Sequence, residues 1–176
     1  MKTQQWKKLP QKELRTRARR LKLVLTDSDG VLTDTGVYYS ENGEAFKRFS
    51  IRDGMGVERL RIAGVETAII TGEKSESVRR RAEKLQMPRL YLGVNDKRDK
   101  LESILQETGL TIAQIAYIGD DMNDLGIIDA IKGRGLTAAP SDAMPVVLDM
   151  IHYRCTFPGG HGAFRDFAEW ILRMRA

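Results

Sequence analysis

Residues 21–30 read LKLVLTDSDG. This stretch is a short, mostly apolar run that leads directly into two aspartates, Asp27 and Asp29, and then into Gly30. A continuous apolar run of this length is typical of a strand that is buried on both faces of a parallel sheet. Ligands of such sheets bind at the edge where the strands end. The stretch therefore predicts a first parallel strand with a pair of carboxylates at its ligand-binding end.

The rest of the chain alternates short apolar runs with helical patterns. Further strand candidates lie at residues 66–71, 90–92, 115–118 and 135–138. Apolar residues at helical spacing predict helices over residues 75–87 and 96–108, and a C-terminal helix is predicted over residues 163–174. Strands that alternate with helices form βαβ units, so the sequence predicts an α/β fold with a single doubly wound parallel sheet.

One segment departs from this alternation. Residues 31–50 contain two β-rich runs on either side of Asn42 and Gly43. Asn-Gly between such runs is the strongest short signal for a β-hairpin. We therefore expect a hairpin flap inserted straight after the first strand.

Length and composition indicate one globular domain preceded by a basic extension. The chain has 176 residues, of which 41% are hydrophobic and 30% are charged, and this composition excludes a disordered tail or a fibre. We assign residues 1–20 to the basic N-terminal extension and residues 21–176 to the domain. The C-terminal tail and last helix of that domain occupy residues 157–176.

The net charge of +5 is concentrated near the N-terminus. Residues 1–22 hold nine Lys or Arg and one acid, so they carry +8 and the remainder carries −3. The acidic remainder favours a solvated helix for the basic segment, and nucleic acid is not expected as a partner. The lone Cys155 excludes an internal disulfide, and no apolar run reaches the roughly 20 residues of a membrane span. We expect a cytoplasmic protein with no membrane partner.

Polar clusters follow the predicted strands or open the predicted helices. Besides Asp27 and Asp29 they comprise Thr71, Lys97 and the run GDDMND at residues 119–124. Clustered carboxylates repel one another unless a cation neutralises them, and hard oxygen ligands suit Mg²⁺ together with a substrate phosphate. A lysine and a hydroxyl at the same edge would hold that phosphate. Asp27 is then suited to attack phosphorus and form an aspartyl-phosphate, and Asp29 to protonate the leaving oxygen.

Four segments together resemble the motifs of the haloacid dehalogenase-like superfamily. They read DSDGVLTD at residues 27–34, IITG at 69–72, DK at 96–97 and GDDMND at 119–124. More narrowly, the chain resembles the small branch without a cap domain, the phosphatases of eight- and nine-carbon ulosonic acid phosphates. The similarity extends from about residue 21 to residue 170 and includes the segment GGHGAFR at residues 159–165.

The resemblance implies roles for individual positions. The implied magnesium ligands are Asp27, Asp29 through its backbone carbonyl, and Asp120. Thr71 and Lys97 would hold the phosphate, while Asp124 would orient Lys97, with Asp121 beside it. The residues implied to bind substrate are Thr33, Arg52, Glu73, Arg81, Lys84 and Arg165. The resemblance also implies a homotetramer in which neighbouring subunits complete each active site.

The identity of the sugar acid depends on a few side chains. Glu73 stands where phosphatases of 3-deoxy-D-manno-octulosonate 8-phosphate usually have arginine. Arg81 and Lys84 share one helix face and would suit a substrate carboxylate. These features favour the 9-phosphate of a nine-carbon acid, of the ketodeoxynononate or acylneuraminate type. Arg52 and the two residues after it, in contrast, look like the octulosonate enzymes, so the eight-carbon phosphatase of lipopolysaccharide synthesis stays the alternative.

Two hypotheses of other classes also stand. The chain could be a non-catalytic module that oligomerises or regulates a partner enzyme, although its intact set of acids argues against that role. It could also bind RNA through residues 1–22, which the acidic body disfavours.

Overall fold

The computed structural model describes residues 9–176, so the first eight residues of the basic extension lie outside it. The strands are β1 (Leu23–Thr26), β2 (Val37–Ser40), β3 (Gly43–Lys47), β4 (Glu66–Ile70), β5 (Arg89–Tyr91), β6 (Ile115–Ile118), β7 (Leu136–Ala139) and β8 (Tyr153–Arg154). The helices are α1 (Gln11–Arg20), α2 (Ile51–Ile62), α3 (Glu76–Lys84), α4 (Lys97–Thr108), α5 (Leu125–Lys132), α6 (Pro145–Leu148) and α7 (Ala163–Arg175).

Six of these strands form one parallel sheet in the order β5-β4-β1-β6-β7-β8. Strand β1 lies between β4 and β6, and all four of its residues are buried. Alternate residues of β1 face opposite sides of the sheet, because successive side chains of a strand point to opposite faces. Val24 belongs to the hydrophobic cluster beneath α1, α2 and α7, whereas Leu23 and Leu25 belong to the cluster beneath α4 and α5. The predicted doubly wound sheet is confirmed.

The hairpin after β1 is also confirmed. Strands β2 and β3 pair in an antiparallel ladder that is separate from the main sheet, with Gly43 at the turn. Its apolar residues are largely exposed, and the rings of Tyr38 and Phe46 stack with centroids 4.5 Å apart. Residues 9–176 form no second domain that would cover the sheet edge.

The basic segment is helical over residues 11–20 as expected, but the helix is solvated on one side only. Helix α1 packs against α7, and Ala18 is fully buried in the core. The guanidinium of Arg17 is also buried, because it donates to the carbonyls of Lys132 and Gly135 and pairs with Glu13. These partners offset the cost of removing a charged group from water, so a basic residue can face the domain.

Helix α7 holds α1 against the rest of the domain. Near its end, the guanidinium of Arg175 donates to the carbonyls of Ala18, Leu21 and Ala63. Helix α7 also buries Phe164 and Phe167 against the face of the sheet that contains Val24. The part of the chain from residue 9 onwards contains no helix with the length and apolar character that a bilayer crossing requires.

The buried guanidinium of Arg17 leads to a stability prediction. Replacement of Arg17 by Met should lower the free energy of unfolding by about 2 kcal/mol, because the carbonyls of Lys132 and Gly135 lose a charged donor. Urea unfolding followed by circular dichroism measures this change. The matched control is Lys12→Met in the same helix, which is exposed and should change the free energy by less than about 0.5 kcal/mol. Equal effects of the two substitutions would show that the buried guanidinium contributes nothing specific.

Candidate active site

The loops that follow β1, β4 and β6 meet at one edge of the sheet and enclose a cleft of about 380 Å³. The predicted site residues that line it are Asp27, Asp29, Thr71, Glu73, Asp120 and Asp121. The carboxyl ends of neighbouring parallel strands lie side by side, and this geometry brings together residues that are far apart in sequence.

Asp27 lies at the base of this cleft with only 4% of its surface exposed. Its Oδ1 accepts a hydrogen bond from the backbone N–H of Ser28 at 2.7 Å, and its Oδ2 lies 2.8 Å from the ammonium of Lys97. Burial and the nearby charge of Asp124 raise the pKa of Asp27 to about 7, although Lys97 partly opposes that rise. An ionised carboxylate that is buried next to another carboxylate destabilises the fold unless a further cation neutralises it.

Asp124 binds the same lysine from the other side. Its side chain is fully buried, and its Oδ1 accepts from Lys97 Nζ at 2.6 Å and from the hydroxyl of Tyr117. Its Oδ2 accepts from the backbone N–H groups of Asp120 and Asp121. Burial by itself would lower the pKa of Lys97, but the charges of Asp27 and Asp124 outweigh burial and raise it. The lysine is therefore held charged and fixed between two carboxylates.

The arrangement of carboxylates fits a divalent cation. Oxygens from Asp27, Asp120 and Asp124 all lie within 4.8 Å of one another. Oδ1 of Asp120 is buried and accepts no hydrogen bond from residues 9–176. Burial and the charges of Asp27 and Asp124 raise the pKa of Asp120 to about 8. One lysine cannot neutralise three such groups, and carboxylate oxygens are the ligands that Mg²⁺ prefers.

Asp29 lies beside this cluster. Its side chain is partly buried, and Oδ1 accepts from Lys47 Nζ at 2.7 Å and from the Thr33 hydroxyl at 3.3 Å. Burial alone would lower the pKa of Lys47, but the carboxylates of Asp29 and Glu44 outweigh it and raise the pKa. The side chain of Asp29 is thus bound by a lysine of the hairpin and does not join the three-carboxylate cluster.

Both predicted phosphate-binding groups are buried. Thr71 is buried at the end of β4, and its hydroxyl accepts from the backbone N–H of Glu73. Lys97 opens α4, where the side chain of Asp96 caps the helix. Asp121, in contrast, is exposed and accepts from the N–H of Met122 at the start of a short 3-10 turn.

Of the residues predicted to bind substrate, only Glu73 lines the cleft. Thr33 is fully buried beneath Asp29. Arg81 was expected to present a free cation, but it donates to the Ser50 carbonyl and lies over the Phe49 ring. Lys84 is exposed in the last turn of α3. Because the helix has nine residues, Lys84 lies about 13 Å from its start.

The two remaining arginines lie in α2 and α7, which pack against each other. Arg52 is exposed in the first turn of α2. Arg165 pairs with Glu169, and its backbone N–H donates to the buried carboxylate of Asp53. Neither arginine lines the cleft as the structure describes it.

Sequence reasoning assigned no role to Lys47 or Tyr117, although both shape the site. Lys47 and Tyr117 contact acidic residues directly, and their identities as strand residues gave no sign of this. Gly30 has a φ of +86°, and a Cβ on it would lie 2.0 Å from Oδ2 of Asp120. A Cβ on Gly159 would lie 2.0 Å from the carbonyl oxygen of Gly30. The glycine-rich tail therefore packs directly on the loop that contains Asp29.

Comparison with known proteins identifies the family. The chain is 37% identical over 155 residues to 3-deoxy-D-manno-octulosonate 8-phosphate phosphatase KdsC of Haemophilus influenzae. The matched residues make up 88% of this chain and 84% of the relative. The chain belongs to the KdsC phosphatase family. It is therefore a phosphoric monoester hydrolase of the haloacid dehalogenase-like superfamily, as its motifs predicted. No protein-family model matches the sequence.

Solved structures of KdsC proteins share this fold. The cobalt-bound Haemophilus influenzae phosphatase superimposes with a TM-score of 0.85 at 36% identity and covers 90% of this chain and 91% of its own. The Moraxella catarrhalis phosphatase, in complex with a magnesium ion, a phosphate ion and a KDO molecule, superimposes with a TM-score of 0.85 at 33% identity. That match covers 93% of this chain and 92% of the Moraxella chain.

The contact between Gly30 and Asp120 leads to an activity prediction. Replacement of Gly30 by Ala should lower the hydrolysis of 4-nitrophenyl phosphate about a hundredfold, because the new Cβ must displace the Asp120 carboxylate. Steady-state kinetics measures the loss, and circular dichroism checks that the fold is retained. Gly133→Ala is the matched control, since that glycine has helical dihedrals and no atom within 4 Å of an added Cβ. Near wild-type activity of the Gly30 variant would contradict this account.

Proposed function

We propose that the chain hydrolyses 3-deoxy-D-manno-octulosonate 8-phosphate in a magnesium-dependent reaction. The observation that carries the proposal is the buried cluster of Asp27, Asp120 and Asp124 around Lys97, at the edge of a sheet that matches KdsC structures along nearly its whole length. The Moraxella relative holds a magnesium ion, a phosphate ion and the eight-carbon sugar acid itself.

In the proposed reaction Asp27 is the nucleophile. A magnesium ion held by Asp27, Asp120 and the backbone carbonyl of Asp29 would neutralise the carboxylates and the phosphate, which lowers the barrier for attack by an anion. The hydrogen bond from Ser28 fixes one oxygen of Asp27, and Lys97 orients the other. Asp124 acts on the reaction through Lys97, whose ammonium it holds in place.

Thr71 and Lys97 are the proposed phosphate-binding groups. Both side chains are buried at the base of the cleft, where a hydrogen bond or an ionic contact to phosphate is stronger than in water. Because Lys97 contacts Asp27 directly, a phosphate bound to the lysine would lie next to the attacking oxygen.

Asp29 is the proposed general acid and base. As Asp27 forms its bond to phosphorus and the bond to the sugar oxygen breaks, Asp29 gives its proton to the departing oxygen. In the second half of the reaction Asp29 takes a proton from water, and that water attacks the aspartyl-phosphate and releases phosphate and Asp27. The position of Asp29 on the wall of the same cleft as Asp27 supports this assignment.

An eight-carbon substrate is supported better than the nine-carbon substrate that the sequence favoured. The curated relatives at 32–37% identity are octulosonate phosphatases. The nine-carbon argument relied on Arg81 and Lys84, but Arg81 is engaged by Ser50 and Phe49, and Lys84 lies at the far end of α3. Within one chain, neither cation is available to a substrate carboxylate in the cleft.

We also propose that the enzyme acts as a homotetramer whose subunits complete one another's sites. The exposed face of the hairpin, which includes Val37, Tyr38, Tyr39 and Phe46, supports this proposal. Clustered apolar side chains on a surface mark places where another protein surface binds. A subunit seated over the open cleft would also limit the access of water during the reaction.

A substrate panel tests the proposed specificity. With Mg²⁺ present, kcat/KM for octulosonate 8-phosphate should exceed the values for ketodeoxynononate 9-phosphate and N-acetylneuraminate 9-phosphate by at least about tenfold. Asp27→Asn should lower turnover of the preferred substrate by at least about a thousandfold, because the amide cannot attack phosphorus. Phosphate release measures both results. A preference for either nine-carbon substrate would overturn the proposed specificity.

Magnesium removal tests the proposed metal site with activity and stability together. Chelation should abolish turnover, and saturating Mg²⁺ should restore it and raise the unfolding temperature by about 5 °C, because the ion binds only the folded site. Asp120→Asn should lose most of that rise, yet without metal it should be at least as stable as wild type, because one repelling carboxylate is gone. Asp149→Asn, at an exposed position outside the cleft, should respond to Mg²⁺ like wild type.

A further inference from the structure

The hairpin places a buried lysine against Asp29, which lines the cleft. Lys47 is the last residue of β3, and its side chain is only 1% exposed although most of the hairpin faces solvent. Its Nζ lies 2.7 Å from Oδ1 of Asp29 and 3.4 Å from Oε2 of Glu44. An ammonium is costly to bury unless it is paired, so this contact is specific and not the default of a surface lysine.

The contact holds one oxygen of Asp29 and leaves the other without a donor. Oδ1 accepts from both Lys47 and the Thr33 hydroxyl. Oδ2 is buried and accepts no hydrogen bond from the part of the chain that the structure describes. The Thr33 hydroxyl has one hydrogen and also lies 3.4 Å from the Ser28 carbonyl, so Lys47, at 2.7 Å, is the donor that fixes the rotation of the carboxyl group. Oδ2 is then the oxygen that remains for exchange of a proton with substrate.

Lys47 is itself held in place by a second contact. Glu44, three residues earlier on the same strand, pairs with Lys47 and accepts a hydrogen bond from the Ser75 hydroxyl. Ser75 caps the N-terminus of α3, four residues after Thr71. The lysine therefore connects the loop after β1 with the loop after β4, and its ammonium has little freedom to leave Asp29.

We propose that Lys47 is a positioning residue that aims the general acid Asp29 at the leaving group. This inference rests on the proposed function, which assigns the acid role to Asp29. Lys47 holds Oδ1, which leaves Oδ2 to transfer a proton when the bond between phosphorus and the ester oxygen breaks. That proton passes to the departing oxygen, and Asp29 becomes a carboxylate with Oδ1 still bound to the lysine.

A positioning role and a merely structural role lead to different kinetics. If Lys47 only anchors the hairpin, its loss should slow all substrates alike. If it aims Asp29, the loss should depend on how much the leaving group needs a proton. 4-Nitrophenolate leaves readily without protonation, whereas the phenolate of phenyl phosphate is more basic and needs it.

The experiment compares kcat/KM for phenyl phosphate and 4-nitrophenyl phosphate in the full-length, magnesium-loaded enzyme. This ratio reports the steps up to departure of the leaving group, whereas kcat also contains the hydrolysis of the aspartyl-phosphate, which is common to both substrates. Lys47→Met should lower kcat/KM for phenyl phosphate about ten- to a hundredfold, which is within the usual contribution of general acid catalysis, and kcat/KM for 4-nitrophenyl phosphate by less than about threefold. Lys47→Arg, which keeps a cationic donor, should recover most of the loss for phenyl phosphate.

The matched control is Arg48→Met. Arg48 is the next residue of the chain and joins the hairpin to the same loop through Asp34, with no contact to Asp29. It should lower kcat/KM for both substrates by the same factor, if at all.

Three outcomes overturn the inference while leaving the proposed function intact. The first is an equal loss of kcat/KM for both substrates in Lys47→Met. The second is the same selective loss for phenyl phosphate in Arg48→Met. The third is that a folded Lys47→Arg variant recovers none of the kcat/KM for phenyl phosphate. Because the test uses aryl phosphates, it does not depend on the sugar acid. An enzyme that hydrolyses aryl phosphates but not octulosonate 8-phosphate would overturn the proposed substrate and leave the comparison of Lys47 variants valid.

Discussion

The structure depends on how negative charge is balanced at the carboxyl edge of one buried sheet. Asp27, Asp120 and Asp124 converge there, and Lys97 contacts two of them from a buried position. The low dielectric of this environment strengthens both the attraction to the lysine and the repulsion among the carboxylates. Burial and the surplus of negative charge raise the pKa of Asp27 and of Asp120, and the surplus gives the site its affinity for a cation. Catalytic potential and local instability therefore have the same physical origin.

Close backbone packing keeps these carboxylates in position. Gly30 lets the loop after β1 approach Asp120, and Gly159 lets the C-terminal tail approach Gly30. Gly119 has the same property, since a Cβ there would lie 2.3 Å from Oδ2 of Asp124. Three segments of the chain, which contain Gly30, Gly119 and Gly159, thus pack so closely that a Cβ at any of these positions would collide with a neighbouring segment.

The sequence sufficed for the sheet and for the acidic cluster, because both follow from local patterns. Apolar runs reveal strands that are buried on both faces, and the polar residues after them must meet at one edge. Interactions between distant segments could not be read in the same way. The burial of Arg17 depends on two carbonyls more than a hundred residues away. The guanidinium of Arg81 is engaged by the Ser50 carbonyl and the Phe49 ring and does not line the cleft. The contact of Lys47 with Asp29 depends on how the hairpin folds back over its own loop. Side-chain partners of long cations are set by tertiary structure and leave no periodic signal in sequence.

The position of α7 has a consequence for the order of events during synthesis on the ribosome. Phe164 and Phe167 cover the face of the sheet that holds Val24, and Arg175 ties the helix to the segments before β1 and β4. Until this segment emerges, the strand that ends in Asp27 has an apolar face open to water and to other nascent chains. Chaperone binding or aggregation of incomplete chains would act on that face. The strand that leads to Asp27, the proposed nucleophile, is therefore translated before the helix that buries it.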